Sequence, residues 1–155
     1  MQEPCIPYIE RDEDNPMPSL LHSRVAHNLS VLPDRYSDRF DVHQQVSLRL
    51  GEWATVPDLA LFPKEREVNW LNDKDEVVQP PKLVIEILSP HQVAGNLITK
   101  VRDYLQNGVG SCWLVQPSIN AVTVFPASSG SRTFGEGNVE DPALGISLPI
   151  SGIFR

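Results

Sequence analysis

Pro81-Lys82-Leu83-Val84-Ile85-Glu86-Ile87-Leu88-Ser89-Pro90 is the stretch on which the reading of this chain turns. Between its prolines runs an apolar, β-branched segment of the kind that forms a strand buried on both faces. Ser89-Pro90 breaks that strand, and helical spacing follows from about Gln92 to Asn107, ending at Gly108 as a C-terminal break. One residue inside the strand does not fit a plain core. Glu86 carries a carboxylate, which is costly to bury unless it is paired, hydrogen-bonded or metal-bound.

The helix offers a partner. Leu97, Val101 and Leu105 form its core stripe, with Ala94 and Ile98 alongside. Asn96, Lys100 and Tyr104 recur at i, i+4 and i+8, one position round, so Lys100 borders the buried face. A helix starting near His91 carries Lys100 about 13 Å along at ~1.5 Å per residue. That length passes about four strand residues at ~3.3 Å each. Counting back from Leu88 brings Lys100 level with Val84 to Glu86.

Ser111–Gln116 is a further strand, and the strand–helix–strand crossover so formed is long enough to join parallel strands. Ala121–Phe125 pairs with it as a hairpin through Pro117-Ser118-Ile119-Asn120. Ala127–Gly137 reads as a surface loop or weak hairpin, and Leu148–Phe154 packs back on the body. Towards the N-terminus, 63–81 is a long polar excursion around Trp70 and Leu71, with room for one helical turn. Val56–Phe62 is a strand with Pro57 at its entrance, and Val42–Leu50 alternates as a half-buried strand up to Gly51. Ser19 caps a helix running to about Leu32, whose stripe is Leu21, Val25, Leu29 and Leu32; His22 and His27 flank it as surface residues. Residues 1–17 read as an acidic, proline-containing tail, with a short edge strand near Ile6–Ile9. The whole is an α/β chain with a mixed sheet and helices on one or both faces.

The totals narrow the function classes. At 155 residues a single domain is expected, and folding buries roughly 68–70% of the unfolded surface, enough for a core without staples. No apolar run is long enough to span a membrane and no signal peptide is evident, so a cytoplasmic protein is expected. Cys5 and Cys112 show no zinc spacing and read as free thiols. The net charge of −7 excludes a general nucleic-acid coat, which needs clustered Lys and Arg. It leaves room for an enzyme that holds nucleic acid locally.

Asp58, after Pro57, supplies a second acid near the Glu86 strand. Two carboxylates and a Lys make a chemical unit. The acids hold a hard, oxygen-preferring cation such as Mg²⁺, with Mn²⁺ as a substitute and the Ile87 backbone carbonyl completing the shell. Such a cation lowers the pKa of water and neutralises phosphate charge, while the Lys orients the water or stabilises developing charge.

At these residues the chain resembles a known family. Pro57-Asp58, Glu86-Ile87-Leu88-Ser89-Pro90, Lys100, Tyr104, Gly108-Val109 and Trp113-Leu114-Val115 are similar to the Uma-type restriction endonucleases, a branch of the PD-(D/E)XK nuclease superfamily. The likeness covers roughly Pro18 to Phe154. It implies a restriction-endonuclease-like fold, a central mixed sheet flanked by helices. It also implies a Mg²⁺-dependent endonuclease cutting phosphodiester bonds, in DNA, with Asp58, Glu86 and Lys100 as the catalytic set. A homodimer is in keeping with the superfamily. Tyr104 stands as core or as support behind the acids. His22 matches a His of the family's first helix, and Glu10 and Asp12 are weaker sources of a further acid. Two positions depart from the pattern. The superfamily's usual Lys position, two after the Glu, holds Leu88, and Lys100 on the helix replaces it. Asn96 stands where the branch often has an Asp, four residues before that Lys, and so lacks a charge.

Read singly, each residue has a plainer role. Glu86 could pair with Arg102 or Arg49, Lys100 could be a snorkelling border residue, and Asp58 could serve a turn or cap. A second reading for the whole chain is a nuclease fold that has lost efficient chemistry and acts as a binding or regulatory module. The acidic charge, Asn96 and the lack of a basic extension favour that alternative.

Overall fold

The computed structural model describes residues 19–155. The expected N-terminal tail, the Ile6–Ile9 edge strand, Glu10, Asp12 and Cys5 lie outside the described residues. Helix α1 spans Leu20–Val31, and Ser19 caps it as expected, its Oγ accepting from the His22 N–H at 3.1 Å. The buried face is not the expected stripe. Val25 and Leu29 are inside, but Leu21 is 54% exposed and His22 and Asn28 are buried instead. Buried polar groups need partners. Asn28 donates Nδ2–H to the Ile153 carbonyl at 2.9 Å, and His22 reaches a carboxylate described below. Those two partners rotate the inward face. His27 is exposed, as expected.

The strand expected over Val42–Leu50 is two strands in different sheets. Strand β1 is Phe40–Gln44 and β2 is Leu48–Leu50. Gln45 between them lies at φ +50°, a left-handed conformation that ends a strand whatever the hydrophobic alternation says. Gly51 at φ +65° then turns the chain into β3, Trp53–Thr55, which pairs with β2. Strand β4 is Leu59–Pro63, three residues shorter at its start than expected. The 63–81 excursion follows, with Trp70 and Leu71 87% and 99% exposed and no helix or strand of its own among the described residues. It is tied down at Val77, whose N–H donates to the Ser47 carbonyl at 2.8 Å.

Strand β5 is Leu83–Ile87, every residue buried, and helix α2 is Ala94–Gln106, starting two residues later than expected. Gly108 at φ +95° ends the helix in the left-handed conformation its position required. Strands β6, Ser111–Gln116, and β7, Ala121–Pro126, form the expected hairpin; β8, Arg132–Phe134, adds to β7. A second hairpin was not expected: β9, Asn138–Asp141, pairs with β10, Ile146–Pro149, before the short helix α3, Ile150–Ile153.

The main sheet has six strands in the order β1-β4-β5-β6-β7-β8, and β5–β6 is its parallel pair. Residues of β5 alternate between two cores. Leu83, Ile85 and Ile87 pack with Val25 and Leu29 of α1 and with the β9–β10–α3 segment. Val84 faces the other way, with Val101 and Tyr104 of α2 and Leu48 and Leu50 of β2. So α1 and α2 cover opposite faces, and the even-numbered residue Glu86 belongs to the α2 side. Among the described residues no helix is long and apolar enough to cross a membrane.

Candidate active site

The site begins where the β4–β5 ladder stops. Leu59 pairs with Ile85, so continuing the register would set Asp58 opposite Glu86 and Pro57 opposite Ile87. In an antiparallel hydrogen-bonded pair the two residues exchange both N–H and C=O. Pro57 has no N–H to give the Ile87 carbonyl. In place of a backbone acceptor, the Asp58 side chain takes the Ile87 N–H, at 2.7 Å to Oδ2. Asp58 thus lies in a bend before β4 rather than in the strand, and its carboxylate stands in for a rung of the sheet. Its other oxygen, Oδ1, is 3.1 Å from Nε2 of His22. The histidine expected at the surface of α1 is 7% exposed and faces this acid.

Glu86, in the fully buried β5, is held from the α2 side. Lys100 Nζ lies 3.0 Å from Oε1, and the Tyr104 hydroxyl donates to the same oxygen at 2.8 Å. Lys100 stands at the level expected from the rise of the helix, and the side chains meet there. Neither arginine considered as a partner fills that role. Arg49 instead pairs with Glu76, its Nε 3.0 Å from both carboxylate oxygens. Tyr104 is fully buried and on the core face of α2, while Ile98, expected alongside the core stripe, is 39% exposed. A large ring with a hydroxyl that finds two buried partners outcompetes an isoleucine at the helix edge. The Tyr104 hydroxyl also lies 3.0 Å from Thr55 Oγ1, and its ring centroid lies 4.8 Å from that of Trp53. Thr55 and Trp53 were not among the residues expected here. Their strand is only three residues long, and nothing local in it signals a role.

The electrostatics follow from burial. Burial pushes the Glu86 carboxyl up to about 7; the nearby Asp58 charge adds to the rise, and Lys100 and the Tyr104 hydrogen bond oppose it. Burial, with the Glu86 charge behind it, also holds the Tyr104 phenol and the Cys112 thiol above their ordinary values, so both remain protonated. Asp58 and Lys100 open onto a cleft of about 820 Å³, which Trp53 and Asn96 also line. Asn96 is exposed on its rim, one helical turn before Lys100.

The chain matches the Uma2 family, described as "Putative restriction endonuclease", over residues 12–151. It belongs to that family. Among solved structures, a protein of Anabaena variabilis described as "a putative nuclease" is 24% identical, with a TM-score of 0.77 over 90% of this chain and 83% of that one. At that identity the likeness is one of fold, and the mixed α/β sheet with helices on both faces is a restriction-endonuclease-like fold. No curated protein matches the chain. Within this Uma2 member, no group of three or more His, Cys, Asp and Glu side chains that could hold a metal ion occurs among the described residues. The oxygen donors that do gather are the Asp58 and Glu86 carboxylates, beside an Ile87 carbonyl that Pro57 leaves without a ladder partner. That is a hard donor set, suited to Mg²⁺ or Mn²⁺ and unsuited to a soft cation.

Proposed function

We propose that this chain is a metal-dependent nuclease that hydrolyses phosphodiester bonds in DNA. The observation that carries the reading is the 3.0 Å approach of Lys100 Nζ to the buried Glu86 Oε1, beside a cleft that Lys100 and Asp58 both line. Asp58, Glu86 and the Ile87 carbonyl would hold the cation. Bound there, a divalent ion supplies Lewis-acid chemistry, neutralising phosphate charge and making water easier to deprotonate.

The chain's own groups do the rest. Both Glu86 contacts fall on Oε1, which leaves Oε2 for the cation. His22 and the Ile87 N–H fix the Asp58 carboxylate from two sides. Lys100 is the donor of the set that reaches the cleft. From its place beside Glu86 its ammonium can orient the attacking water or meet the negative charge that develops on the phosphoryl oxygens. Tyr104 positions Glu86 and touches no substrate.

The test is a nuclease assay on single- and double-stranded DNA with Mg²⁺ or Mn²⁺, comparing the natural chain with Glu86→Gln and Lys100→Ala. A positioned general acid–base or charge-stabilising group contributes roughly 100-fold or more, so each variant should lose at least that much. Equal cleavage by all three proteins would sink the assignment.

A further inference from the structure

The cleft beside Asp58 and Lys100 is built without the groups that grip a duplex. Lys100 is the one Lys or Arg among its described lining residues, and its Nζ already sits on Glu86. Three other lining residues are acids, Asp58, Glu76 and Asp103, and Glu76 holds Arg49 through both carboxylate oxygens. The chain as a whole carries a net charge of −7. Duplex binding rests on several Lys or Arg contacts to phosphates, and this wall offers one at most.

What the wall does offer is an aromatic ring and amides. Trp53 lines the cleft half-buried, backed by Tyr104 at 4.8 Å with their planes inclined at 56°. Gln45, Gln92 and Asn96 line the same cleft. An amide presents a donor and an acceptor together, the match for the edge of a nucleobase. At about 820 Å³ the space falls in the range of clefts that enclose a ligand of one or two nucleotides rather than a double helix.

We propose that the substrate of this site is an unpaired strand of DNA, with a base stacked on Trp53 and its edge read by Gln45, Gln92 and Asn96. This rests on the nuclease reading above and names its substrate class. Stacking on an aromatic platform holds single strands without a basic groove, because every base has a π face. In a duplex that face is covered by its neighbours, and Trp53 has nothing to take. The platform also connects to the chemistry: Trp53 packs on Tyr104, which donates to Glu86. A seated base thereby presses on the residue that positions the acid.

The experiment measures binding by fluorescence anisotropy, using Glu86→Gln with Mg²⁺ so that nothing is cut. The probes are one labelled oligonucleotide alone and annealed to its complement. The expected result is binding of the unpaired strand at least about ten-fold tighter than the duplex. Its affinity should fall only about three- to seven-fold between about 50 and 200 mM salt, the change for one or two phosphate contacts, against about 10³-fold or more for a phosphate-gripping duplex binder. Adding Trp53→Ala should weaken binding by about 5- to 150-fold, and Trp53→Phe, which keeps a ring against Tyr104, should restore most of it. Duplex binding as tight as single-strand binding, a steep salt dependence, or indifference to Trp53→Ala in a folded protein would each overturn the proposal. Failure of the nuclease reading is seen separately, as no cleavage of either form by the natural chain.

Discussion

Replacing Glu86 by glutamine should stabilise the metal-free protein, and only at high pH. The carboxyl titrates near 7 in the folded chain against 4.5 as the reference value, chiefly because burial penalises its charged form. The folded state therefore holds this proton over a range where the unfolded state has released it. Stability from this group is fully present below about pH 4.5, falls as pH rises towards 7, and is lost above. A gap of about 2.5 pH units, at ~1.36 kcal/mol each, is on the order of 3 kcal/mol. Glutamine resembles the protonated acid in shape and keeps a carbonyl for the Tyr104 hydroxyl, so it should recover that amount at about pH 8 and nothing near pH 4.5. For a chain of this size ~3 kcal/mol corresponds to roughly 6–12 °C in melting temperature. The assay is thermal or urea unfolding of both proteins in a chelator at the two pH values. A variant less stable than the natural chain at high pH, or an offset equal at both, would refute the reasoning: Lys100 would then stabilise the charged form by more than burial costs it.

Other outcomes follow from the same contacts. Tyr104→Phe leaves Thr55 Oγ1 without its buried partner and Glu86 Oε1 with Lys100 alone, so it should cost about 1–3 kcal/mol in urea unfolding; a neutral effect would mean water replaces the hydroxyl. His22→Ala frees one side of Asp58 and should weaken Mn²⁺ binding by about 10- to 100-fold in calorimetry, the usual effect of losing a group that orients a ligand, while unchanged affinity would remove His22 from the site. Asn28→Ala should cost about 1–3 kcal/mol, since it leaves the Ile153 carbonyl without its amide partner; unfolding with an unchanged midpoint would show that α1 and α3 are held by apolar contact alone.

How far the sequence could be read depended on whether partners were near or far along the chain. Glu86 and Lys100 lie on consecutive elements, so the rise of a helix and the rise of a strand are enough to bring them level. The β5–α2–β6 unit was legible for the same reason. The inward face of α1 was not. Leu21 is the apolar residue, yet His22 and Asn28 are inside because Asp58 and Ile153, far away in sequence, wait for them. Likewise the alternation over Val42–Leu50 is real in both halves, but it carries no sign that Gln45 turns left-handed and sends β2 to another layer. The β9–β10 hairpin escaped notice because its four-residue strands bury only alternate positions in the α1-side core, too short a pattern to stand out. Trp53 and Thr55 meet the site through Tyr104 and the cleft wall, across a layer that local pattern cannot see.

The alternation of β5 between two cores has a consequence for how such a site can vary. The two acids are set from opposite sides of one sheet: α1 governs Asp58 through His22, and α2 governs Glu86 through Lys100 and Tyr104. They behave as two jaws of a vice on separate screws. A sequence change that shifts α2 retunes one jaw and leaves the other clamped, so the gap can be adjusted in small steps without dismantling the site.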